Sequence, residues 1–370
     1  MMCYEYPPLG GGGARVVANL CDDLNRFGQP VELITMGYQQ LPADQTEGLL
    51  RIFRVPGIRK HVEVCYAYEM LPYLFSSFNK LFWRLLTRKY RLNHTHFIFP
   101  DGVVAWLAKK CFGLPYVITA HGSDVPGYNP DRFIGMHKWL APFWQRVTTD
   151  AELIICPSRH LQHLILEQNP SAKTRVIPNG IDVTRFSAVS AKDGSLLVVT
   201  RMFERKGVQY LLRALSGMKD YPEVNIVGDG PYLPELRRQA QELGCRVNFL
   251  GFIDNKSEQF RQILEKASVF VFTSAAENFP IVLLEAMTAG LCIITSNDNG
   301  CVEVVEDCAI TIPPKQEDIL REALERALSQ PEFAAELGRR ARRRVEEYFC
   351  SEAVTRRHLE LYEQLEQKRL

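Results

Sequence analysis

The sequence has no excess of either charge. Its 44 Lys and Arg balance 43 Asp and Glu, a formal net charge of +1, and no strongly charged tail is present. Nucleic acid is therefore not an expected partner. It also lacks paired cysteine spacing. Ten cysteines are scattered along the chain without a C-x-x-C, which argues against a zinc knuckle or a redox dithiol. Several sit inside apolar runs such as "LIICP" and "GLCII", where Cys behaves as a small buried hydrophobe. That usage predicts a reducing, cytosolic compartment. No apolar run reaches the roughly 18 residues of a membrane span. "MMCYEYPPLGGGG" has no cationic start followed by an apolar stretch, so no secretory leader is expected. Peripheral contact with the inner face of a membrane stays open.

What is present is length and rhythm. A chain of 370 residues, 46% hydrophobic, is too long for one typical core and predicts two domains. Short apolar, β-branched runs read as strands: 30–36, 95–100, 115–120, 152–157 and 174–178, then a second set at 195–200, 223–228, 246–251, 268–273 and 291–296. Helical stretches lie between them, including 14–28, 102–113, 208–215 and 232–244. Near-continuous apolar strands alternating with helices predict parallel sheets covered on both faces. Two series predict two doubly wound domains, with the boundary inside 177–195, where Asn179-Gly180 is a turn signal. The chain from about Pro331 reads as helical, with a solvated charged face. Only "MMCYEY" precedes Pro7, so the strand before the first glycine run is short.

Ligands of such sheets bind at the carboxyl ends of strands, and the polar motifs cluster there. "ENFPIVLLE" (277–285) follows the strand 268–273. Pro280 suits the first turn of a helix. The amides of Ile281 and Val282 then lie at a positive helix end suited to phosphate. If both glutamates were helical, eight residues would separate them by about 12 Å and 80°. The spacing favours Glu277 in the loop before the helix and Glu285 within it. Each carboxylate could then accept hydrogen bonds from sugar hydroxyls on either side of a diphosphate. A helix-dipole Glu and a salt-bridged Glu explain the spacing about as well. In "TRMFERKG" (200–207), Arg201 and Lys206 flank a turn, where cations stabilise a departing diphosphate. Gly11, Gly12 and Gly13 in "PPLGGGGARVV" join a strand to a helix and permit close approach of backbone to a ligand. The run is not a dinucleotide fingerprint. His121 and Asp124 in "TAHGSDVPG" stand after a strand, as do Gly228 and Gly230 in "VGDGP" and Phe252 in "LGFI". The segment 79–93 mixes aromatics, leucines and five basic residues. It reads first as a core-facing helix with a solvated basic face, and second as a helix lying on an anionic membrane.

Taken in order, "GGGG", "HGSD", "PSRHL", "IPNGID", "TRMFERKG", "VGDGP", "LGF" and the E-x7-E of "ENFPIVLLE" resemble glycosyltransferase family four over nearly the whole chain. The resemblance implies the GT-B fold: two facing Rossmann-like, doubly wound parallel-sheet domains with a cleft between them. It implies an acceptor-side domain over 1–180, completed by a C-terminal helix at about 351–370, and a donor-binding domain over 181–350. The activity implied is that of a hexosyltransferase, moving a hexose from a UDP- or GDP-sugar to an acceptor hydroxyl with retention. A lipid-linked or cell-envelope glycan is the implied acceptor, and no cofactor or metal is expected.

By the same resemblance, Arg201 and Lys206 form the diphosphate pair, Glu277 the donor-sugar contact and Glu285 the ribose contact. Asn278, Phe279 and Pro280 belong to the same donor loop. Ile281 and Val282 offer amides to phosphate. Gly11, Gly12 and Gly13 lie near the donor phosphate and the acceptor. His121 stands beside the reacting face of the sugar, with Asp124 on the acceptor side. Asn278 and Pro280 depart from the family's frequent glycines. Two other readings compete: a nucleotide-sugar epimerase or hydrolase on the same fold, and a non-catalytic sugar-nucleotide-binding subunit. The second predicts eroded charges, whereas Arg201, Lys206, Glu277 and Glu285 are all present. The loops at 38–65 and 122–150 carry no decodable acceptor signal.

Overall fold

The structure is a computed structural model, and it describes residues 1–62, 64–128, 134–187 and 192–368. Parts of the loops at 38–65 and 122–150 and of the boundary at 177–195 lie outside those residues. The chain divides into two units, Met1–Gly180 with Ser351–Leu370, and Ile181–Cys350.

The first unit holds strands β1 (Val31–Met36), β2 (Asp44–Glu47), β3 (Leu50–Val55), β4 (Asn93–His96), β5 (Tyr116–Thr119), β6 (Leu153–Cys156) and β7 (Thr174–Val176). β1, β3 and β2 pair in that order, as do β4 to β7. All ladders are parallel except β2 on β3. The short segment at the chain start joins the two groups. Met2 bridges Ile34 of β1 and Thr95 of β4, both in parallel. Its N–H reaches the carbonyl of His94 at 3.0 Å, and the Cys3 N–H reaches that of Ile34 at 3.1 Å. Three residues thus occupy the centre of the sheet.

Helices α1 (Gly12–Arg26), α2 (Ala67–Thr87), α3 (Asp101–Phe112), α4 (Ile134–Asp150) and α5 (Arg159–Gln168) follow strands. α1 buries Ala14, Val17, Ala18, Cys21 and Leu24, the three-and-four spacing of one helical face. α3 stops at Gly113, whose φ of 71° suits the left-handed cap. Ser158 caps α5 by accepting the Leu161 N–H. The C-terminal helix Ser351–Gln367 packs on this unit, with Val354 and Leu361 against Ile155 and Ile177.

Three expectations change here. The strand expected over 95–100 ends at His96, because Phe97 turns the backbone to φ 73°. The apparently signal-free stretch at 38–65 contains β2 and β3. The helix expected over 79–93 begins much earlier and ends at Thr87.

The second unit is one six-stranded parallel sheet. Its strands are β8 (Leu196–Val199), β9 (Val224–Val227), β10 (Asn248–Gly251), β11 (Val269–Phe272), β12 (Cys292–Ser296) and β13 (Ala309–Ile312), in the order β10-β9-β8-β11-β12-β13. Sequence patterning did not predict β13. Helices α6 (Val208–Ser216), α7 (Leu233–Glu242), α8 (Glu258–Lys266), α9 (Ile281–Thr288), α10 (Cys301–Val305), α11 (Glu317–Ser329) and α12 (Pro331–Tyr348) cover it. β11 and β12 are wholly buried, as expected of central parallel strands. No helix among the described residues is long and apolar enough to cross a membrane.

Candidate functional site

Two groups of the sequence-selected residues gather, one at the strand ends of each unit. In the second unit, β8 runs into Arg201 and a single 3-10 turn, Glu204–Lys206. Gly207 follows with φ 77°, and a Cβ there would stand 2.3 Å from the Thr273 carbonyl oxygen. Only glycine lets the turn press against the end of β11 this way. The consequence is that Lys206 Nζ meets Glu277 Oε1 in a buried ion pair. Burial raises the Glu277 carboxyl, but the charge and hydrogen bond of Lys206 outweigh it and hold the group below the usual carboxylate range. Arg201 is half-buried, its guanidinium 5.5 Å from the centre of the Phe203 ring.

Glu277 and Asn278 lie in the loop before α9, fixed from a segment the sequence reading passed over. The Gly300 N–H donates to the Glu277 carbonyl at 3.0 Å. A Cβ on Gly300 would fall 1.6 Å from the Asn278 carbonyl oxygen. Asn299 donates to the Ser274 carbonyl at 2.9 Å. Phe279 is buried and stacks edge-on with Phe349, ring centres 5.2 Å apart. Pro280 is the extended N-cap of α9 (φ −73°, ψ 122°), one position before the first turn expected for it. The amides of Ile281 and Val282 open the helix, where no preceding turn supplies carbonyls.

Glu285 is fully buried on α9 and pairs with Arg185, Nη1 to Oε1 at 3.0 Å. Arg185 comes from the boundary segment, and periodicity gives no signal for it. Gly228 and Gly230 do their work through backbone proximity: a Cβ would stand 1.8 Å from the Thr200 carbonyl and 2.6 Å from that of Met202. They let the turn after β9 lie against the turn that carries Arg201. Phe252 follows β10 and is 64% exposed, so its ring is available to an external partner.

In the first unit, His121 stands just beyond β5. Its Nε2 lies 3.1 Å from His96 Nδ1, and its ring packs on Phe97 with centres 4.5 Å apart. Gly11 caps α1, whereas Gly12 and Gly13 are its first helical residues and not part of a loop. A Cβ on Gly13 would meet Phe97 at 2.8 Å and the His121 ring at 3.3 Å. The glycine run and His121 are therefore neighbours. Gly12, by contrast, faces open space.

Asp124 is buried and accepts three backbone N–H groups: Ile98 at 2.7 Å, Gly122 at 2.9 Å and His121 at 3.0 Å. This pins the loop and sets the position of His121. Burial pulls the His121 imidazole down to about 3. His96 and His94 are driven well below the usual imidazole range by burial, reinforced by neighbouring histidines. His94 bonds Tyr362 at 2.6 Å and Thr119 at 2.7 Å. Sequence reading missed His96, which belongs to a strand pattern and is paired only in three dimensions.

Among the described residues no three His, Cys, Asp or Glu side chains gather as a metal site. Within the second unit, the buried carboxylate–ammonium pair with a helix start beside it suits a hydroxylated ligand that carries an anionic group; within the first unit, His121 offers a neutral hydrogen-bonding ring at the end of its sheet.

Comparisons with known proteins agree. The family "Glycosyltransferase Family 4" matches residues 10–185, and "Glycosyl transferases group 1" matches residues 182–344. An uncharacterized glycosyltransferase of Methanocaldococcus jannaschii is 27% identical over 98% of this chain and 97% of its own length. Sucrose-phosphate synthase from Thermosynechococcus elongatus shares the fold with a TM-score of 0.84 at 24% identity, over 96% of this chain and 94% of that one. Anabaena HepE in complex with UDP-glucose does so with a TM-score of 0.76 at 18% identity, over 98% of both chains. With matched family regions from residue 10 to residue 344 and a GT-B fold, the chain belongs to glycosyltransferase family 4 and is a transferase enzyme.

Proposed function

We propose that the protein transfers a hexose from a nucleoside-diphosphate sugar to an acceptor hydroxyl, with retention at the anomeric carbon and without a metal. The Lys206–Glu277 pair carries this reading. Glu277, held ionised, is an acceptor for sugar hydroxyls. Lys206 and Arg201 meet the charge that grows on the departing diphosphate, which counts more in the transition state than in the ground state. The amides of Ile281 and Val282 add the helix-end contribution to a phosphate. Glu285 and the exposed Phe252 would take the nucleoside, ribose and base respectively.

His121 is neutral at physiological pH, so it acts near the sugar as a hydrogen-bonding group rather than a cation. Its bond to His96 consumes one ring nitrogen and thereby fixes the role of the other. The second unit is the donor half of this reading and the first unit the acceptor half, in a cytoplasmic protein. The bound UDP-glucose of Anabaena HepE supports a nucleotide-sugar donor. A glycan, lipid-linked or of the cell envelope, is the proposed acceptor.

Thermal unfolding with UDP, GDP, ADP or CMP, in the absence of metal, tests the donor. Ligand that binds only the folded state raises the midpoint by mass action. A shift with one nucleoside diphosphate is expected. No shift with any of the four, in a protein that unfolds cooperatively, would refute the reading.

A further inference from the structure

Arg185 joins two parts of the second unit. Its Nη1 donates to Glu285 Oε1 at 3.0 Å, and its Nη2 donates to the carbonyl of Asn255. Glu285 belongs to α9. Asn255 follows β10 and comes shortly after Phe252. One guanidinium therefore bonds both the carboxylate proposed for the ribose and the segment that carries the ring proposed for the base.

The chain around Arg185 is pinned. Phe186 is buried and packs on Phe260 of α8, ring centres 6.5 Å apart. The guanidinium carbon of Arg185 stands 4.8 Å from the centre of the Phe186 ring. Arg342 of α12 donates to the Phe186 carbonyl at 3.0 Å, and the Ser187 N–H donates to Glu265 Oε1 at 2.8 Å. A side chain held in this way loses little freedom when a ligand arrives.

Burial separates the two members of the ion pair. Glu285 has no exposed surface, whereas the Arg185 side chain is 29% exposed. A carboxylate so deeply buried needs a counter-charge, and Arg185 supplies it. A ligand that comes to the pair meets the guanidinium. Arginine carries several N–H donors in a planar fork and no acceptor. Glu285 and Asn255 engage two of these donors, and the others suit the oxygen atoms of a hydroxylated partner. Beside a carboxylate acceptor, such donors are complementary to a vicinal diol, whose hydroxyls both donate and accept.

We propose that Arg185 is a binding residue of the nucleoside subsite, donating to a ribose hydroxyl oxygen while Glu285 holds the guanidinium in place. The ribose is then read by the pair and not by Glu285 alone. The inference rests on the nucleoside-diphosphate donor reading and adds to it a residue that tells ribose from deoxyribose.

The full-length protein is titrated in a calorimeter with UDP, GDP and ADP, each beside its 2′-deoxy form. The wild type should bind the ribose form of its nucleotide about tenfold tighter, the worth of one hydrogen bond to a charged group. Arg185→Lys keeps a cation against Glu285 but not the planar fork, and should lower that ratio to about threefold. Arg185→Met removes both and should lower it to about twofold or less. Because Arg185→Met leaves Glu285 buried without its counter-charge, unfolding midpoints are measured for both variants, and Arg185→Lys carries the test if the other does not fold. A purely structural role would weaken ribose and deoxyribose forms in step and leave the ratio unchanged. A wild type that binds both forms equally, or a ratio that neither variant lowers, would overturn the proposal and leave the donor reading standing. No binding of any of these nucleotides would overturn both.

Discussion

The Lys206–Glu277 pair of the second unit and the His121–His96 pair of the first are both polar couples at the ends of parallel strands. They meet the cost of burial in opposite ways. The first keeps two full charges and cancels one with the other. The second discards charge: burial holds the imidazoles neutral, and one shared proton joins them. The contrast matches the chemistry proposed for each half. Ions are placed where an anionic diphosphate would lie. Neutral donors and acceptors are placed where an uncharged sugar would react, and there a fixed cation would bind water or phosphate instead.

The contrast can be broken at its charged side first. Glu277→Leu leaves the Lys206 ammonium buried and alone, and should cost about 3–5 kcal/mol of stability. Lys206→Met/Glu277→Leu should recover most of that loss while staying inactive. Denaturant unfolding of both variants separates the outcomes, and a double variant as unstable as the single one would show that the pair is not what matters. Next is Glu285. Its replacement by Ala should weaken nucleotide binding by about 1.5–3 kcal/mol, the scale of a hydrogen bond to a charged group. Unchanged affinity in titration calorimetry would leave Glu285 a structural partner of Arg185 only.

The neutral side is probed by pH. The folded His121 titrates near 3 and the unfolded one near 6.5. Between those values the unfolded state binds more protons, so this residue's contribution is complete above 6.5 and lost as pH falls. At pH 5 the loss should be on the order of 1–2 kcal/mol, and absent from His121→Gln. Asp101, raised to about 8 by burial, works in the opposite sense from about pH 4 upwards. The difference between wild type and variant isolates the histidine. The smallest effect concerns orientation. His96→Leu should lower turnover by about fivefold, the worth of roughly 1 kcal/mol of hydrogen bond, with nucleotide affinity intact. His96→Asn, which keeps a polar partner, should restore part of it. Equal losses in both variants would point to packing alone.

Much of this was legible in the sequence, for reasons that also explain the omissions. Central parallel strands such as β11 and β12 are continuous apolar runs and announce themselves. β2, with the sequence DQTE at a polar edge, has no apolar residue to give it away. The overrun of β4 into Phe97–Phe99 arose because the apolar pattern continues through a turn whose positive φ is invisible to patterning. Glu277, Lys206 and Arg201 sit in motifs with local spacing. Arg185, His96 and Gly300 matter through contacts across tens of residues, and nothing in their neighbourhoods signals that. The exposed Tyr68, Leu71, Phe75, Trp83 and Leu86 of α2 could not be told from a core face by period alone, because the opposite face, with Met70, Tyr73 and Leu81, is apolar too.

The C-terminal helix has a consequence for synthesis. Tyr362 closes on His94, and Leu361 covers Ile155 and Ile177, residues made far earlier. The first unit therefore cannot finish folding as it leaves the ribosome, although domains generally fold in order of emergence. Its hydrophobic edge waits through the synthesis of the entire second unit, and the half made first is completed last.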